Sequence, residues 1–263
     1  MKKFRHSLLL ILGAIGVGLG QAARAADNPV TATAASIDWS QLQLSVIGVG
    51  GSAPAVEFFS YNTTLNSSSR FYPEGKETDS ASSNNWTSIV QTEANAGESR
   101  ASGLASSDIL SGMVNAVGQA NFASSSGSRE VSFSFDGPGV LTVSVPYSIS
   151  LNGTRSHCWH CYDIVSVNGN AYFDNFTGGS NDSYPNSSVS YSLHSYSWQS
   201  LPEPQSGDLV FGIVASGAGT GSLGVEFNIL SVVPEPESYA MLLTGLGLMG
   251  AVLRRRQCRK GMA

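Results

Sequence analysis

Positive charge is scarce in this chain, and scarcest where a folded body is expected. Of 14 lysines and arginines in 263 residues, four (Lys2, Lys3, Arg5, Arg24) lie in the first 25 residues and five (Arg254, Arg255, Arg256, Arg259, Lys260) in the last ten. Only Arg70, Lys76, Arg100, Arg129 and Arg155 remain between them, against all 19 acids, a formal charge of −14 for that stretch. Nucleic acid is excluded as a partner on this count, because its affinity comes largely from Lys and Arg at phosphates. The same excess of acid keeps the body soluble and repels polyanions.

Cysteine and histidine are also few, three and four. Two cysteines fall in the one dense constellation, His157-Cys158-Trp159-His160-Cys161. A c-type haem site needs His directly after the second Cys, and Tyr162 stands there. A structural zinc wants two separated ligand pairs, and a thioredoxin-like dithiol wants a strand-to-helix setting. A local disulfide between Cys158 and Cys161 is the leading reading, with adventitious binding of a soft metal as the other. Such a bridge closes a very small loop and stiffens a turn more than it stabilises a fold. No Gly-x-Ser-x-Gly elbow is present for a nucleophilic serine. Asn181, Asp182 and Asp174 do not have EF-hand spacing. No catalytic residue, resident metal or cofactor is therefore expected. Trp159 and Trp198 are candidate stacking contacts for a glycan, with Trp86 and Tyr196 behind them.

What the body does have is Ser, Asn, Gly and Thr, a composition that disfavours helices and suits short strands with polar faces. Val131, Phe133 and Phe135 alternate with serines, and Leu141 to Leu151 alternate with Thr, Ser and Pro146. Asp136-Gly137-Pro138-Gly139 between them predicts a hairpin joining two paired strands. Pro146 marks its strand as an edge or a bulge. Further strands are predicted over 39–49, 162–167, 171–176, 189–198, 209–215 and 223–232, with Asn168-Gly169-Asn170 as a turn. Residues 60–85 read as long polar loops, and 99–122 as short strands in preference to a weak helix. Spacing of about ten residues between strands predicts an all-β fold, an antiparallel β-sandwich or jelly roll.

The two ends carry the long apolar runs. Lys2, Lys3, Arg5 and His6 precede an apolar stretch from Leu8 to Leu19, and Ala23-Arg24-Ala25 supplies small residues at −3 and −1. That is a secretory signal peptide over residues 1–25, with Ala23 and Ala25 forming the signal peptidase site. At the other end Pro234-Glu235-Pro236 precedes an uncharged run from Tyr239 to Leu253, which abuts Arg254, Arg255 and Arg256. As a helix that run reaches about 22 Å at 1.5 Å per residue, short of a hydrocarbon core of roughly 30 Å. Abutting cations fit the cytoplasmic flank of a stop-transfer segment, and their stems snorkel to lengthen the span. A second Pro-Glu-Pro at 202–204 has no apolar run after it and reads as a surface turn.

Tripeptide, apolar helix and arginine cluster, in that order from Val233 to Arg256, resemble the PEP-CTERM sorting signal of exosortase substrates. The resemblance implies a surface protein of a Gram-negative, exopolysaccharide-making bacterium. Its organisation follows as residues 1–25 signal peptide, 26–232 secreted β-rich ectodomain, 233–256 sorting signal and 257–263 cytoplasmic tail. It further implies an exosortase and a signal peptidase as partners, transient insertion in the inner membrane, and delivery to the cell surface or matrix. The expected role is structural or adhesive in exopolysaccharide, biofilm or floc. The alternative is a secreted carbohydrate-binding module or glycan-active hydrolase with the same address.

Overall fold

The computed structural model describes residues 32–49, 52–117, 121–151, 161–175, 187–196 and 200–233, together with Met249. The chain is all-β, in two antiparallel sheets. Strands β1 (Thr33–Asp38), β2 (Gln43–Gly48), β5 (Val90–Ala96), β6 (Ser99–Ala105), β7 (Ile109–Asn115), β9 (Gly139–Ser150) and β12 (Gln205–Ala215) form the first. Strands β3 (Val56–Phe71), β4 (Gly75–Ser83), β8 (Asn121–Phe135), β10 (Tyr162–Asn175), β11 (Ser187–Tyr196) and β13 (Gly219–Val233) form the second, in the order β11-β10-β13-β8-β3-β4. Each half of the chain contributes strands to both sheets, so the first half is not a separate unit.

Period-two alternation drives this arrangement. In β8 and β9 every second residue is buried, including Val131, Phe133, Phe135, Leu141, Val143, Val145 and Ile149. These join Phe173, Phe211 and Phe227 in one apolar cluster drawn from both sheets. Several aromatics have glycine beneath them. Phe227, on β13, pairs with Gly127 of β8 and reaches across to Gly112 of β7. Phe211 lies on Gly169 of β10 in the same way, and Phe71 covers Gly97.

Several expectations from the sequence are corrected. Strands β8 and β9 are not paired as a hairpin: β8 lies between β3 and β13, while β9 lies between β12 and β1–β2. The turn at 136–139 carries the chain from one sheet to the other, and the Asp136 carboxylate accepts from the Ala55 N–H at 2.6 Å. Alternation reports which side of a strand is buried and is silent about its partner. Residues 60–85 are not loops, since β3 and β4 occupy most of them. Their fully buried positions are Thr63, Leu65, Ser67 and Ser69, and only one of these four carries an apolar signal. Asn168-Gly169-Asn170 is not a turn but lies inside the continuous strand β10, where Gly169 makes room for Phe211.

The strand predicted over 39–49 is broken. Asp38 caps a 3-10 turn (Trp39–Gln41) by accepting from Ser40 N at 3.0 Å, Ser40 Oγ at 2.6 Å and Gln41 Nε2 at 2.7 Å. The turn interrupts the ladder with β9 between Tyr147, opposite Ile37, and Ser144, opposite Gln43. Pro146 falls in that gap. It therefore sits inside an interior strand where the ladder has lapsed, and not on an edge.

The open sides of the two sheets are closed by side chains. Along β5, Glu93 N donates to Asp79 Oδ2 (2.9 Å) and Asn95 N to Glu77 Oε2 (3.1 Å). Carboxylates of β4 thus occupy edge donors that otherwise invite another strand. On the other side Gly212 N donates to Ser187 Oγ at 3.2 Å, and Tyr147 stacks on Tyr191 at 4.8 Å. Burial there, with the neighbouring Tyr191, pushes the Tyr147 phenol above its ordinary pKa.

Candidate functional site

Two features bear on function: the outer face of the six-stranded sheet, and the point at which the chain leaves it. Because side chains alternate, the residues between the core positions of β4, β3, β8, β13, β10 and β11 all face outward. Register places them in rows across the sheet. The central row reads Ser80, Asn66, Ser126, Asn228, Ser166, Ser192. Next to it runs Thr78, Ser68, Ser124, Leu230, Ile164, His194, and beyond that Lys76, Arg70, Phe122, Val232, Tyr162, Tyr196. Strands lie about 4.8 Å apart and same-face neighbours on a strand about 6.8 Å apart, so the rows form a regular grid of polar groups.

A groove of about 580 Å³ crosses this face from β4 to β10 and is lined by Asn66, Thr78, Ser80, Ser126, Asn228 and Leu230 among others. The hydrogen bonding of its rows differs from that of the row on the far side. There Thr64 Oγ1 and Ser128 Oγ pair at 2.7 Å, and Asn168 Nδ2 donates to Glu226 Oε1 at 2.8 Å. In the groove the side chains of Asn66, Ser80, Ser124, Ser126 and Asn228 have no hydrogen-bonding partner within the described residues. Their backbone is held by strand pairing, and their donors and acceptors point at solvent. The floor has an apolar part, Leu230 and Ile164, beside the rings of Phe122 and Tyr162. Lys76 Nζ lies over the Phe122 ring, 5.7 Å from its centroid.

Strand β13 runs through the middle of the sheet, paired on both edges as far as Val232 and with β8 to its end. Val232 stands opposite Phe122 and Tyr162, and Val233 opposite Asn121. Val233 is buried. Pro234 follows directly, so no slack chain separates the folded body from the tripeptide.

Most residues singled out from the sequence fall outside the described residues: Ala23, Ala25, Cys158, Trp159, Trp198, Pro234, Glu235, Pro236, Arg254, Arg255 and Arg256. Cys161 is described, and it is buried and disulfide-bonded, with a partner outside the described residues. Among the described residues no group of His, Cys, Asp and Glu could hold a metal ion, and no helix is long and apolar enough to cross a membrane. Trp86 is committed to an internal cluster, 4.8 Å from Trp39 and 5.1 Å from Tyr61 between ring centroids. The sequence reading missed the groove. Its signal was present as Ser, Thr and Asn at alternate positions, but composition alone assigned such residues to turns.

Residues 232–256 match the PEP-CTERM protein-sorting motif. The match begins on the last two residues of β13 and ends on Arg256. This motif marks an exported protein that an exosortase processes and sorts to the cell surface. No curated protein and no solved structure matches the chain.

Proposed function

We propose that this is a non-catalytic surface or matrix protein, a β-sandwich body that an exosortase releases at Pro234–Pro236 into exopolysaccharide, where it acts structurally or adhesively. The observation that carries the proposal is the sorting motif, which starts within the folded body itself. Residues 1–25 direct export and are removed after Ala25. Residues 239–253 enter the inner membrane transiently, and Arg254–Arg256 with residues 257–263 stay on the cytoplasmic side. Between Val233 and Tyr239 lie five residues, which span about 17 Å when fully extended. The body therefore sits against the bilayer surface while the tail is inserted, and the enzyme reaches the tripeptide from the membrane side. The released body, residues 26–232, carries five cations against 17 acids, a formal −12, and remains dispersed.

The second reading, a carbohydrate-binding module or glycan-active hydrolase with the same address, is favoured in its binding half by the groove on the outer sheet face.

Intact mass of the mature protein from its host tests the proposal. The expected species starts at Ala26 and ends near Pro236, with or without an added group. Replacing Pro234, Glu235 and Pro236 together by alanine is expected to leave the tail on nearly all molecules and the protein in the membrane fraction. A wild-type mature species still carrying Arg254 to Ala263 overturns the sorting claim.

A further inference from the structure

We infer that the groove across the outer face of the six-stranded sheet is a binding site for an uncharged polysaccharide chain, laid across the strands from β4 to β10. This deepens the matrix reading above and rests on it only for where the ligand is met. The argument starts from what the groove presents. Asn66, Ser80, Ser126 and Asn228 offer donors and acceptors that nothing in the described residues uses. Each is fixed by a strand paired on both sides, except Ser80 on the outer strand β4. Binding therefore orders no backbone, and the entropy cost is confined to the side-chain rotamers of these groups. Leu230 and Ile164, with Phe122 and Tyr162 alongside, give an apolar strip parallel to the polar row.

A sugar ring has the same two-part character, with an apolar C–H face and a rim of hydroxyls that both donate and accept. The repeat between strands, about 4.8 Å, is close to the length of one ring. The groove crosses five strands, about 19 Å at that spacing, so it accommodates about four rings in a row. A peptide fits less well. An extended peptide binds by its backbone at an open strand edge, and this is a sheet face whose backbone groups are already paired.

Charge narrows the class further. Asp79 and Lys76 both line the groove and offset each other, and the rest of the lining is neutral. With residues 26–232 at −12, a uronic-acid polymer meets net repulsion. The ligand is therefore a neutral glycan with hydroxyl or N-acetyl substituents.

The test uses the protein purified from its host in the form it takes there, kept in detergent if the tail is retained. Titration calorimetry is run against hexasaccharides of glucose and of N-acetylglucosamine, with hexagalacturonate as the acidic comparison. At least one neutral hexasaccharide is expected to bind, and the uronate at least tenfold more weakly. The N66A/N228A variant is expected to lose at least tenfold in affinity with an unchanged melting curve, and Ser126→Leu, which fills the centre, to lose as much. Asn62→Ala, two rows along the same face, leaves affinity unchanged. Absence of neutral binding, equal binding of the uronate, or affinity that survives N66A/N228A each overturns the inference. Processing at the tripeptide is read separately by mass. A processed protein that binds no glycan sinks this inference alone, and a glycan-binding protein with its tail intact sinks only the sorting claim.

Discussion

Replacing Phe227 by alanine is expected to lower the unfolding free energy by about 3–5 kcal/mol, the range for deleting a fully buried aromatic ring. Phe227 is fully buried on β13, between Val167 on one side and Gly127 on the other. Its ring leaves no room for a side chain at either facing glycine. A methyl on Gly112 would lie 2.6 Å from Phe227 Cζ and 2.8 Å from Ser125 Oγ. A methyl on Gly127 would lie 2.5 Å from Phe227 Cε1 and 2.6 Å from Leu65 Cδ2. Gly112→Ala alone is expected to cost about 1–3 kcal/mol through overpacking. The two changes fill each other's space, so the double variant is expected to lose clearly less than the sum. Urea unfolding of the four proteins in the cycle measures this. Additive losses would mean that the ring and the glycine do not share one packing site. The effect reaches the outer face too, because Asn228 and Glu226 flank Phe227 on β13. A slack core there is expected to weaken glycan binding along with stability.

The strands of the second half were legible because their inward positions are large and apolar. Val131, Phe133, Phe135, Leu141, Val143 and Val145 recur at period two, and that pattern has one physical reading. Strand β3 was not legible for the opposite reason. Beside β5 and β6 the interior is built largely from small hydroxyl side chains. Ser67 Oγ pairs with Thr92 Oγ1 at 2.8 Å, and Ser125 Oγ donates to Ser102 O at 2.8 Å. A core of serines and threonines has no hydrophobic period, and its sequence looks like a loop. Gly169 misled for a related reason. Glycine marks either a turn or a place where another group comes close, and Phe211, distant in sequence, decides which.

The sorting motif was legible because its three parts are contiguous and read by a membrane as much as by an enzyme. Apolar length, proline and arginine need no tertiary context to be recognised. The groove is the contrary case. Asn66, Ser126 and Asn228 are far apart in sequence and become neighbours only through the registers of β3 with β8 and β8 with β13. No local pattern encodes those registers. Trp86 shows the limit of reading single residues: named as a candidate glycan contact, it is instead held against Trp39 and Tyr61.

That tryptophan pair surrounds the one buried cation among the described residues, and Arg129 is where a truncation is expected to do most harm. Arg129 lies on β8 with 1% of its surface exposed. Its guanidinium carbon stands 5.4 Å from the Trp39 ring centroid and 5.8 Å from that of Trp86. Nη2 donates to Ser106 O and, at 3.4 Å, to Trp86 O. One side chain thus pins to β8 the capped turn at 39–41, the β4–β5 connection and the β6–β7 turn. Arg129→Ala leaves two carbonyls without their donor and a cavity between two indoles, and is expected to cost about 3–5 kcal/mol. Arg129→Met is expected to cost far less. Nε and Nη1 have no partner, so the buried charge carries an uncompensated desolvation cost that methionine removes while filling most of the volume. Burial pulls the guanidinium pKa down from its ordinary value to about 10, with nearby Asp108 opposing the shift. A base whose folded pKa is depressed is protonated in both states below that value, so its contribution to stability is flat across neutral pH. Stability gains from it only as pH rises above about 10 towards the ordinary guanidinium value, where the unfolded chain binds the extra proton. Urea midpoints of wild type, Ala and Met variants, followed by tryptophan fluorescence between pH 6 and pH 9, are expected to differ by constant amounts. Equal losses for alanine and methionine would show that the hydrogen bonds of the guanidinium, and not the packing of its stem between the two indoles, hold these connections to the sheet.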